Sequence, residues 1–504
     1  MGRKFVADMA FMSDYTAIKR ALLSTSEMIS IISGEVDLPF GEHTDLTKRL
    51  KEVQAAGTFL STEETIELRR TLTAITELYD FFTSRRNPET QQTPYPYLDA
   101  IAQGLFPFRD ILRAIDSIID RFGNVKDNAS PNLREIRRRL SAMSGQINAV
   151  MRRVMTKAIS DGYIDTEVQP SLRDGRLVLP VAAMNKRRIH GIVHDESATG
   201  KTVYIEPAEV VEANNTLREL QLEEHREVIR ILIDLTSTIR PHIEDIIGCN
   251  IVLGEIDFIR AKAQFAQQIE AHMPSLHEEP GIEWYHAVHP ILLLTLQKQG
   301  KDVVPLDIIL NEKGRILIIS GPNAGGKSVC LKTVAVVQYM TQCGLLPPIH
   351  ENSHIGIYSN IFVDIGDDQS MEDDLSTYSS HLRNMKLFLQ KGDNQTLVLI
   401  DEFGGGTEPQ IGGAIAQAVL QQFNEKKVWG VITTHFQNLK HFAEETEGLI
   451  NGSMLYDRHL MQPLFRLSIG NPGSSFAIEI ARKIGLPESI ISEAQNIVGS
   501  DYIN

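Results

Sequence analysis

The chain has 504 residues, of which 42% are hydrophobic and 23% are charged, and its formal net charge is −15. The composition is that of a soluble globular protein, the length predicts two or more domains, and the acidic total excludes a surface coated in basic residues. No apolar stretch approaches the ~20 residues of a membrane span, the N-terminus has no secretory signal, and the three cysteines lack metal-ligand spacing, which together indicate a cytoplasmic protein with reduced thiols and no membrane partner.

The first 127 residues are predicted to form a helical core. Residues 15–32 and 61–85 carry apolar side chains at helical spacing, and the Ser-Thr-Glu-Glu sequence that opens the second stretch is a typical helix start. No residue of this region carries a recognisable chemistry. We therefore predict that it serves as a scaffold.

Two long helices are predicted next, a first lever helix within 128–172 and return lever helices within 208–280. Ser130 followed by Pro131 marks the first start, and apolar residues then alternate steps of three and four. A similar pattern covers 208–239, where Glu224 interrupts it. Two such seams separated by a short insert predict an antiparallel pair with a module at its tip.

The insert, residues 173–207, is predicted to be a small β clamp-like tip. β-like runs lie at 176–181, 189–194 and 202–205, and a turn rich in Ser, Thr and Gly precedes the last run.

Basic residues of the tip and of the first lever helix are candidates for nucleic-acid contacts. Lys186, Arg187 and Arg188 fall between the first two predicted strands of the tip. Such a run is usually a solvated loop, but at the end of a lever it becomes a candidate contact for a phosphate backbone. The arginines of the first lever helix are expected instead to be solvated or to pair with Glu219, Glu223 or Glu224.

The most specific motif is a glycine-rich loop that matches G-x-x-x-x-G-K-[ST] without a mismatch. It follows an apolar run at 315–320 that predicts a buried strand and precedes a stretch at 329–340 that predicts a helix. Lys327 is predicted to reach the outer phosphates of a nucleotide, and Ser328 to hold magnesium. The predicted nucleotide-binding residues of the loop are Gly321, Pro322, Asn323, Ala324, Gly325, Gly326, Lys327 and Ser328.

Two further apolar strands end in residues suited to nucleotide hydrolysis. The run at 396–400 ends at Asp401, predicted to hold the magnesium, and at Glu402, predicted to polarise the attacking water. The run at 428–433 leads to His435, which is predicted to contact the terminal phosphate and to sense its loss.

Ser376 or Thr377 is predicted to cap a helix whose free amides can bind an anion. A glutamine-containing loop at 364–370 precedes this helix. Phosphate loop, glutamine loop, capped helix, Asp-Glu strand and histidine strand, in this order, are the parts of an ABC-type ATPase. The predicted fold class is therefore an α/β ABC-type ATPase domain at 281–504, a mixed sheet flanked by helices, fused to the mostly α-helical core and lever region. In that class the capped helix of one protomer completes the ATP site of the other, which implies a homodimer.

These residues resemble the MutS mismatch-repair ATPases. The resemblance rests on the loop at 321–328, on Ser376-Thr377-Tyr378 in place of the transporter signature, on 399–413 and on Thr433-Thr434-His435. His289-Pro290 is similar to the family's stretch near the adenine, and 470–481 with 485–488 resemble the helix–turn–helix end by which MutS dimers embrace. The tip sequences 191–200 and 204–207, with Asn214-Asn215, resemble the second bacterial branch, MutS-II, over nearly the whole chain.

Two departures from the family limit what the resemblance implies. No mismatch-reading domain with a Phe-x-Glu wedge precedes the lever, and the matches at 40–42 and 423–425 are predicted to be chance, so mismatch recognition is not expected. The branch usually ends in a coiled coil and an Smr nuclease domain. Nuclease activity is not expected from these residues, and the chain is expected to be a fragment at both ends.

The resemblance implies an ATPase that uses ATP and Mg²⁺ and forms a homodimeric clamp on branched or recombination-intermediate DNA, suppressing homologous recombination. The main alternative is an ATPase that splits stalled or collided ribosomes, with ribosomal RNA inside the ring. A cohesin-like tethering ATPase is a further alternative, but its lever would need hundreds of residues. A transporter ATPase is disfavoured by Ser376 and Thr377.

Overall fold

The computed structural model describes residues 2–34, 38–173, 175–321, 326–366, 374–405, 407–457, 462–470, 481–482 and 484–498. The chain forms two compact units, each built from separate stretches of sequence. One unit consists of Met1–Leu38, Pro88–Ile101 and Gly254–Asn504, and the other of Pro39–Asn87 and Ala102–Leu253. None of the helices in the described ranges has the length and apolar character that crossing a bilayer requires.

The helices and strands follow one another in an order that is mainly helical up to residue 268 and mixed thereafter. The α-helices are α1 (Gly2–Ala7), α2 (Tyr15–Ile32), α3 (Thr47–Glu52), α4 (Thr62–Thr83), α5 (Pro96–Ala102), α6 (Arg109–Ile118), α7 (Pro131–Ser160), α8 (Ala208–Ile239), α9 (Ile243–Gln268), α10 (Pro290–Lys298), α11 (Lys327–Gln342), α12 (Asp374–Lys391), α13 (Pro409–Glu425), α14 (Gln437–Glu445) and α15 (Glu488–Val498). The strands are β1 (Ser171–Arg173), β2 (Arg176–Ala182), β3 (Gly191–Glu196), β4 (Thr202–Pro207), β5 (Ser275–His277), β6 (Ile282–Ala287), β7 (Leu306–Leu310), β8 (Gly314–Ser320), β9 (His354–Gly356), β10 (Asn360–Asp364), β11 (Thr396–Ile400), β12 (Trp429–Thr433), β13 (Gly448–Asp457) and β14 (Gln462–Ile469).

Local capping sets where the long helices begin. Ser61 and Glu64 form a reciprocal capping box at the start of α4. The Ser130 hydroxyl accepts the backbone N–H of Leu133, and Pro131 occupies the first position of α7, where a missing N–H costs no helical hydrogen bond. Both predicted helix starts are confirmed.

Helices α7 and α8 of the second unit pack along each other in opposite directions. Ser130 Oγ donates to Glu227 at 2.7 Å, and Arg137 Nε donates to Glu224 at 2.7 Å. Residue numbers therefore increase along α7 in the direction in which they decrease along α8, which confirms the predicted antiparallel pair. Glu224 interrupts the apolar seam because it neutralises a half-buried arginine of the facing helix.

A four-stranded sheet, in the order β1-β2-β4-β3, lies between α7 and α8 in the sequence. Strand β3 begins two residues later than predicted, because Ile189 packs into the apolar core of this module before the strand starts. Strand β1 was not predicted, since three residues are too few to show an alternating pattern. The core of the module that contains this sheet consists mainly of the buried side chains Met151, Leu179, Val181, Val203 and Ile205.

Glu206 is a fully buried carboxylate at the end of β4. It accepts hydrogen bonds from Arg176 Nη1 at 2.9 Å, His194 Nε2 at 2.5 Å and Asn214 Nδ2 at 2.8 Å. Burial acts to raise the pKa of Glu206, but these hydrogen bonds outweigh it and hold the pKa below its ordinary value. Because Asn214 lies in α8, this cluster ties the small sheet to the start of that helix.

The first unit contains two sheets. The larger has the order β10-β11-β12-β8-β13-β14, with the first five strands parallel and β14 antiparallel at the edge. The smaller has the order β5-β9-β6-β7. This is a mixed α/β arrangement, as predicted for the second half of the chain.

Apolar side chains cover both faces of the larger sheet. Every residue of β8 is buried, as expected of a central parallel strand. Leu331, Val334 and Val337 of α11 lie in the core on one face, and Phe388, Leu420 and Phe423 of α12 and α13 lie in the core on the other. Because Phe423 is fully buried there, the match at 423–425 is no exposed wedge.

Candidate functional site

The candidate functional residues meet where three parallel strands end. Ile318 of β8 pairs with Ile432 of β12, and Ile432 pairs with Ile400 of β11. The residues that follow these strands therefore emerge at one edge of the sheet, although they are far apart in the sequence. The carboxyl edge of parallel strands is the usual place for a ligand in such sheets.

The glycine-rich loop leaves β8 and enters α11 through two glycines in the left-handed region. Gly321 has φ of 126° and Gly326 has φ of 95°, and a side chain at either position would strain the backbone. Lys327 and Ser328 are the first two residues of α11. The loop positions Pro322, Asn323, Ala324 and Gly325 lie outside the described residues, so their predicted contacts stay predictions.

Lys327 is almost fully buried, with 2% of its surface exposed, and it joins two of the strand ends. Its Nζ donates to the Gly321 carbonyl at 2.6 Å and lies 3.2 Å from Nε2 of His435. Burial lowers its pKa to about 8, although Glu402 and Asp401 attract the charge and oppose this. The ammonium group is therefore still mostly protonated at pH 7.

His435 lies beside this ammonium group at the end of β12. Burial lowers its pKa, and the charge of Lys327 acts in the same direction. The imidazole is therefore neutral at pH 7 and accepts a hydrogen bond from Lys327. Its contact with a terminal phosphate stays a prediction.

Thr433, the last residue of β12, positions both acidic residues that follow β11. Its hydroxyl donates to Asp401 Oδ1 at 2.5 Å and accepts the backbone N–H of Glu402 at 2.8 Å. In the sequence this threonine ends a predicted strand and belongs to the Thr433-Thr434-His435 match, and neither feature assigns it this role. No spacing or pattern links positions 401 and 433, so sequence reasoning missed this role.

Glu402 has a left-handed backbone, with φ of 48°, which is uncommon for a residue with a side chain. The conformation turns the chain out of β11, and the next residue, Phe403, is buried and donates its N–H to the Thr433 carbonyl at 2.9 Å. The side chain of Glu402 is exposed at this turn. A solvent-accessible carboxylate at a strained turn suits the predicted polarisation of a water molecule.

The donor set fits a magnesium ion that is held mainly by phosphate oxygens. Within the described ranges, no group of three His, Cys, Asp or Glu side chains is arranged to hold a metal. Magnesium usually binds through one or two protein oxygens together with substrate phosphates and water. Ser328 and Asp401 supply one hydroxyl and one carboxylate, so they match this mode of binding.

A mostly apolar cavity of about 430 Å³ adjoins the end of the loop at Gly326. His289, which caps α10 by accepting the N–H of Leu292, lies on its wall. Burial lowers the pKa of His289, and the charge of Lys332 adds to this, so the ring is neutral. The remaining walls include Val304, Val329, Met454 and Phe465. The size and the mostly apolar lining are those of a small-molecule pocket.

The helix predicted to be capped by Ser376 or Thr377 begins earlier than expected. Helix α12 starts at Asp374, so these two residues lie in its first turn and not at its cap. The capping prediction is therefore wrong, because the capping position falls before Asp374. The side chains of Ser376 and Thr377 are outside the described part of the chain.

The basic residues of the loop between β2 and β3 are exposed. Lys186, Arg187 and Arg188 form the loop between β2 and β3, and the Arg188 guanidinium lies 5.9 Å from the centre of the Tyr163 ring. The arginines of α7 behave as expected in two cases, since Arg137 and Arg139 pair with Glu224 and Glu223.

At the C-terminal end, residues 471–480 lie outside the described residues, and α15 follows at Glu488–Val498. The Arg482 guanidinium pairs with Glu488 at 2.6 Å across the intervening turn. The predicted role of this end in dimer formation stays a prediction.

Comparison with known proteins finds similar sequences over the whole chain. Residues 317–500 match the family model of MutS domain V. The chain is 37% identical over 503 residues to "Endonuclease MutS2" of Pelotomaculum thermopropionicum, covering 100% of this chain and 62% of that protein. Proteins of the same name from Halalkalibacterium halodurans and Levilactobacillus brevis are 34% and 35% identical, each over 99% of this chain and 62% of its own length.

The chain therefore spans 62% of the length of these curated relatives. The phosphate loop, the Asp-Glu strand end and the histidine strand end lie at one sheet edge, and the similarity extends through both units of the chain. The chain belongs to the MutS family, in the MutS2 branch, and residues 317–500 are its MutS domain V.

Proposed function

We propose that the chain is an ATP-hydrolysing homodimeric clamp that binds branched or recombination-intermediate DNA and suppresses homologous recombination. The observation that carries the ATPase assignment is the convergence of Lys327, His435, Thr433 and the two acidic residues after β11 at one sheet edge. The relatives are endonucleases by name, but the chain covers 62% of their length, and we assign it no nuclease activity.

In this proposal each residue of the edge has one task in hydrolysis. Lys327 exchanges its hydrogen bond to the Gly321 carbonyl for one to the outer phosphates, where its charge stabilises the transition state. Glu402 orients and polarises the attacking water, and His435 contacts the terminal phosphate. Magnesium, held by Ser328 and Asp401, neutralises the phosphate oxygens when it is bound.

We further propose the ABC-type arrangement, in which the first turn of α12 serves the partner's nucleotide. The free amides of a helix N-terminus bind anions, which supports this role for the turn that contains Ser376 and Thr377. The base of ATP is proposed to occupy the cavity beside His289.

The nucleic acid is proposed to contact the clamp-like tip at 173–207, which lies in the sequence between the levers at 128–172 and 208–280. The remaining proposed domains are the core at 1–127 and the ATPase domain at 281–504. Exposure of Lys186, Arg187 and Arg188 supports this, because they are available for phosphate contacts. By contrast, Arg137 and Arg139 of α7 are neutralised by carboxylates of α8. Segregation of charge in this way reconciles a net charge of −15 with a nucleic-acid partner.

The substitution Glu402→Gln tests the proposed chemistry. The variant should bind ATP as the wild type does, release phosphate far more slowly and accumulate as an ATP-bound dimer in size-exclusion chromatography with light scattering. The exposed Glu445→Gln on α14 serves as a matched control. Wild-type turnover in Glu402→Gln would remove this residue from the reaction.

The alternative function, splitting of stalled or collided ribosomes, is distinguished from the DNA clamp by the ligand that the protein binds. Gel shifts with a four-way DNA junction and with a duplex of equal length are compared with co-sedimentation on collided ribosomes, all with the ATP-bound Glu402→Gln dimer. Preference for the junction supports the DNA clamp. Co-sedimentation with ribosomes, without binding to the junction, would support ribosomal RNA as the ligand in place of DNA.

A further inference from the structure

Asp364, at the end of β10, links helix α12 to the larger sheet. It is buried, with 7% of its surface exposed. Its carboxylate accepts hydrogen bonds from His381 Nδ1 at 2.7 Å and from Asn384 Nδ2 at 2.9 Å. The two donors are three residues apart on α12 and so lie on the same face of that helix. Two bonds to one charged, buried acceptor fix the helix in position and direction.

The main chain of the same residue holds the start of the acidic turn. The Asp364 carbonyl accepts the backbone N–H of Asp401 at 2.9 Å, and Asp364 pairs with Ile400 in the parallel register of β10 and β11. The side chain of Asp364 is therefore bonded to α12, and its backbone is bonded to the residue proposed to hold magnesium. A displacement of α12 would therefore be transmitted to Asp401 through Asp364.

The packing beside this link is incomplete. A small cavity of about 20 Å³ lies between α12, β11 and α13, and its wall includes Tyr378, His381, Asp401 and Glu402. The hydroxyl of Tyr378 is buried and has no hydrogen-bond partner among the residues that the structure describes. A buried hydroxyl without a hydrogen bond is unfavourable, so a position of α12 in which this hydroxyl forms a hydrogen bond would be more stable in this respect. The helix is thus tethered at Asp364 but not tightly packed one turn earlier.

We propose that Asp364, His381 and Asn384 are positioning residues that transmit the position of α12 to Asp401. In the proposed dimer, α12 touches the nucleotide of the partner, whereas Asp401 serves the protomer's own nucleotide. The link would then make hydrolysis at one site depend on occupancy of the other. This inference rests on the proposed function and extends it to the regulation of the same site.

The test compares two substitutions of His381. Asparagine can place an amide N–H close to the position of Nδ1, so His381→Asn should keep the bond to Asp364. Leucine fills the space without a donor, so His381→Leu should break it. Lys386→Ala, an exposed position on the same helix, is the matched control. Steady-state phosphate release and the binding of a fluorescent ATP analogue are measured for each variant.

We expect His381→Leu to lower kcat at least about tenfold while the affinity for the analogue changes less than about twofold. We also expect the Hill coefficient of ATP hydrolysis to fall from above 1 in the wild type to about 1. His381→Asn should retain most of the wild-type rate and cooperativity, and Lys386→Ala all of it. A purely structural role would instead reduce thermal stability and affinity together.

The outcomes separate the inference from the proposed function. If the wild type hydrolyses ATP cooperatively and His381→Leu does the same, the inference is wrong while the proposed function stands. If the wild type shows no ATP hydrolysis, the proposed function fails, and the inference fails with it. If His381→Leu does not fold, Asn384→Ala removes the second donor to the same carboxylate. Wild-type cooperativity in that variant overturns the inference.

Discussion

The substitution Thr433→Val removes one hydroxyl that serves two acidic residues. Valine has nearly the shape of threonine, so the fully buried site at the end of β12 stays filled. The variant loses the hydrogen bond to the Asp401 carboxylate and leaves the N–H of Glu402 without its acceptor. The change therefore alters the orientation of both acids without removing either.

The expected size of the effect follows from these two contacts. A hydrogen bond to a charged group contributes about 1.5–3 kcal/mol. If the bond orients Asp401 and Glu402 in the transition state, its loss lowers kcat by roughly one to two orders of magnitude at about 1.4 kcal/mol per decade. KM for ATP should change little, because Lys327 and its contact with Gly321 are untouched. The free energy of unfolding should fall by about 1–3 kcal/mol, the usual cost of an unpaired buried group.

Phosphate release, binding of a fluorescent ATP analogue and urea unfolding are measured for the wild type, Thr433→Val and Thr433→Ser. Serine keeps the hydroxyl, so it should recover most of the rate. A Thr433→Val enzyme with wild-type kcat, or a Thr433→Ser enzyme as slow as the valine variant, would refute the positioning role of the hydroxyl.

Two further predictions concern the second unit. Hydrogen bonds from Arg230, Ser130 and Asn132 outweigh burial and lower the pKa of Glu227 to about 2. The stabilisation by this carboxylate is thus complete above its ordinary pKa of 4.5 and is lost as the pH falls towards 2. The substitution Glu227→Gln should therefore destabilise the protein at pH 7 and progressively less at acid pH, measured by thermal unfolding between pH 7 and pH 3. An equal loss of stability at pH 7 and at pH 3 would contradict this. Reversing the charges of Lys186, Arg187 and Arg188 to glutamate should weaken junction binding and flatten its salt dependence in gel shifts at several salt concentrations, and unchanged binding removes these residues from the nucleic-acid contact.

Most local features of the chain could be predicted from short stretches of sequence. The capping box of α4, the proline-led start of α7 and the apolar strand before the phosphate loop each depend on neighbours within a few positions. The start of α12 was misplaced by such reasoning, because Ser376 and Thr377 are good capping residues but the chain is already helical at Asp374.

The order of the motifs along the chain determined the family, the predicted nucleotide site and the α/β character of the second half. Only the tertiary structure decided that Thr433 orients Asp401 and Glu402, and that Asp364 binds His381 and Asn384. The physical reason is that these contacts join the ends of strands and a helix that are distant in sequence. Strand order and register bring such residues together, and neither leaves a periodic signal in the sequence.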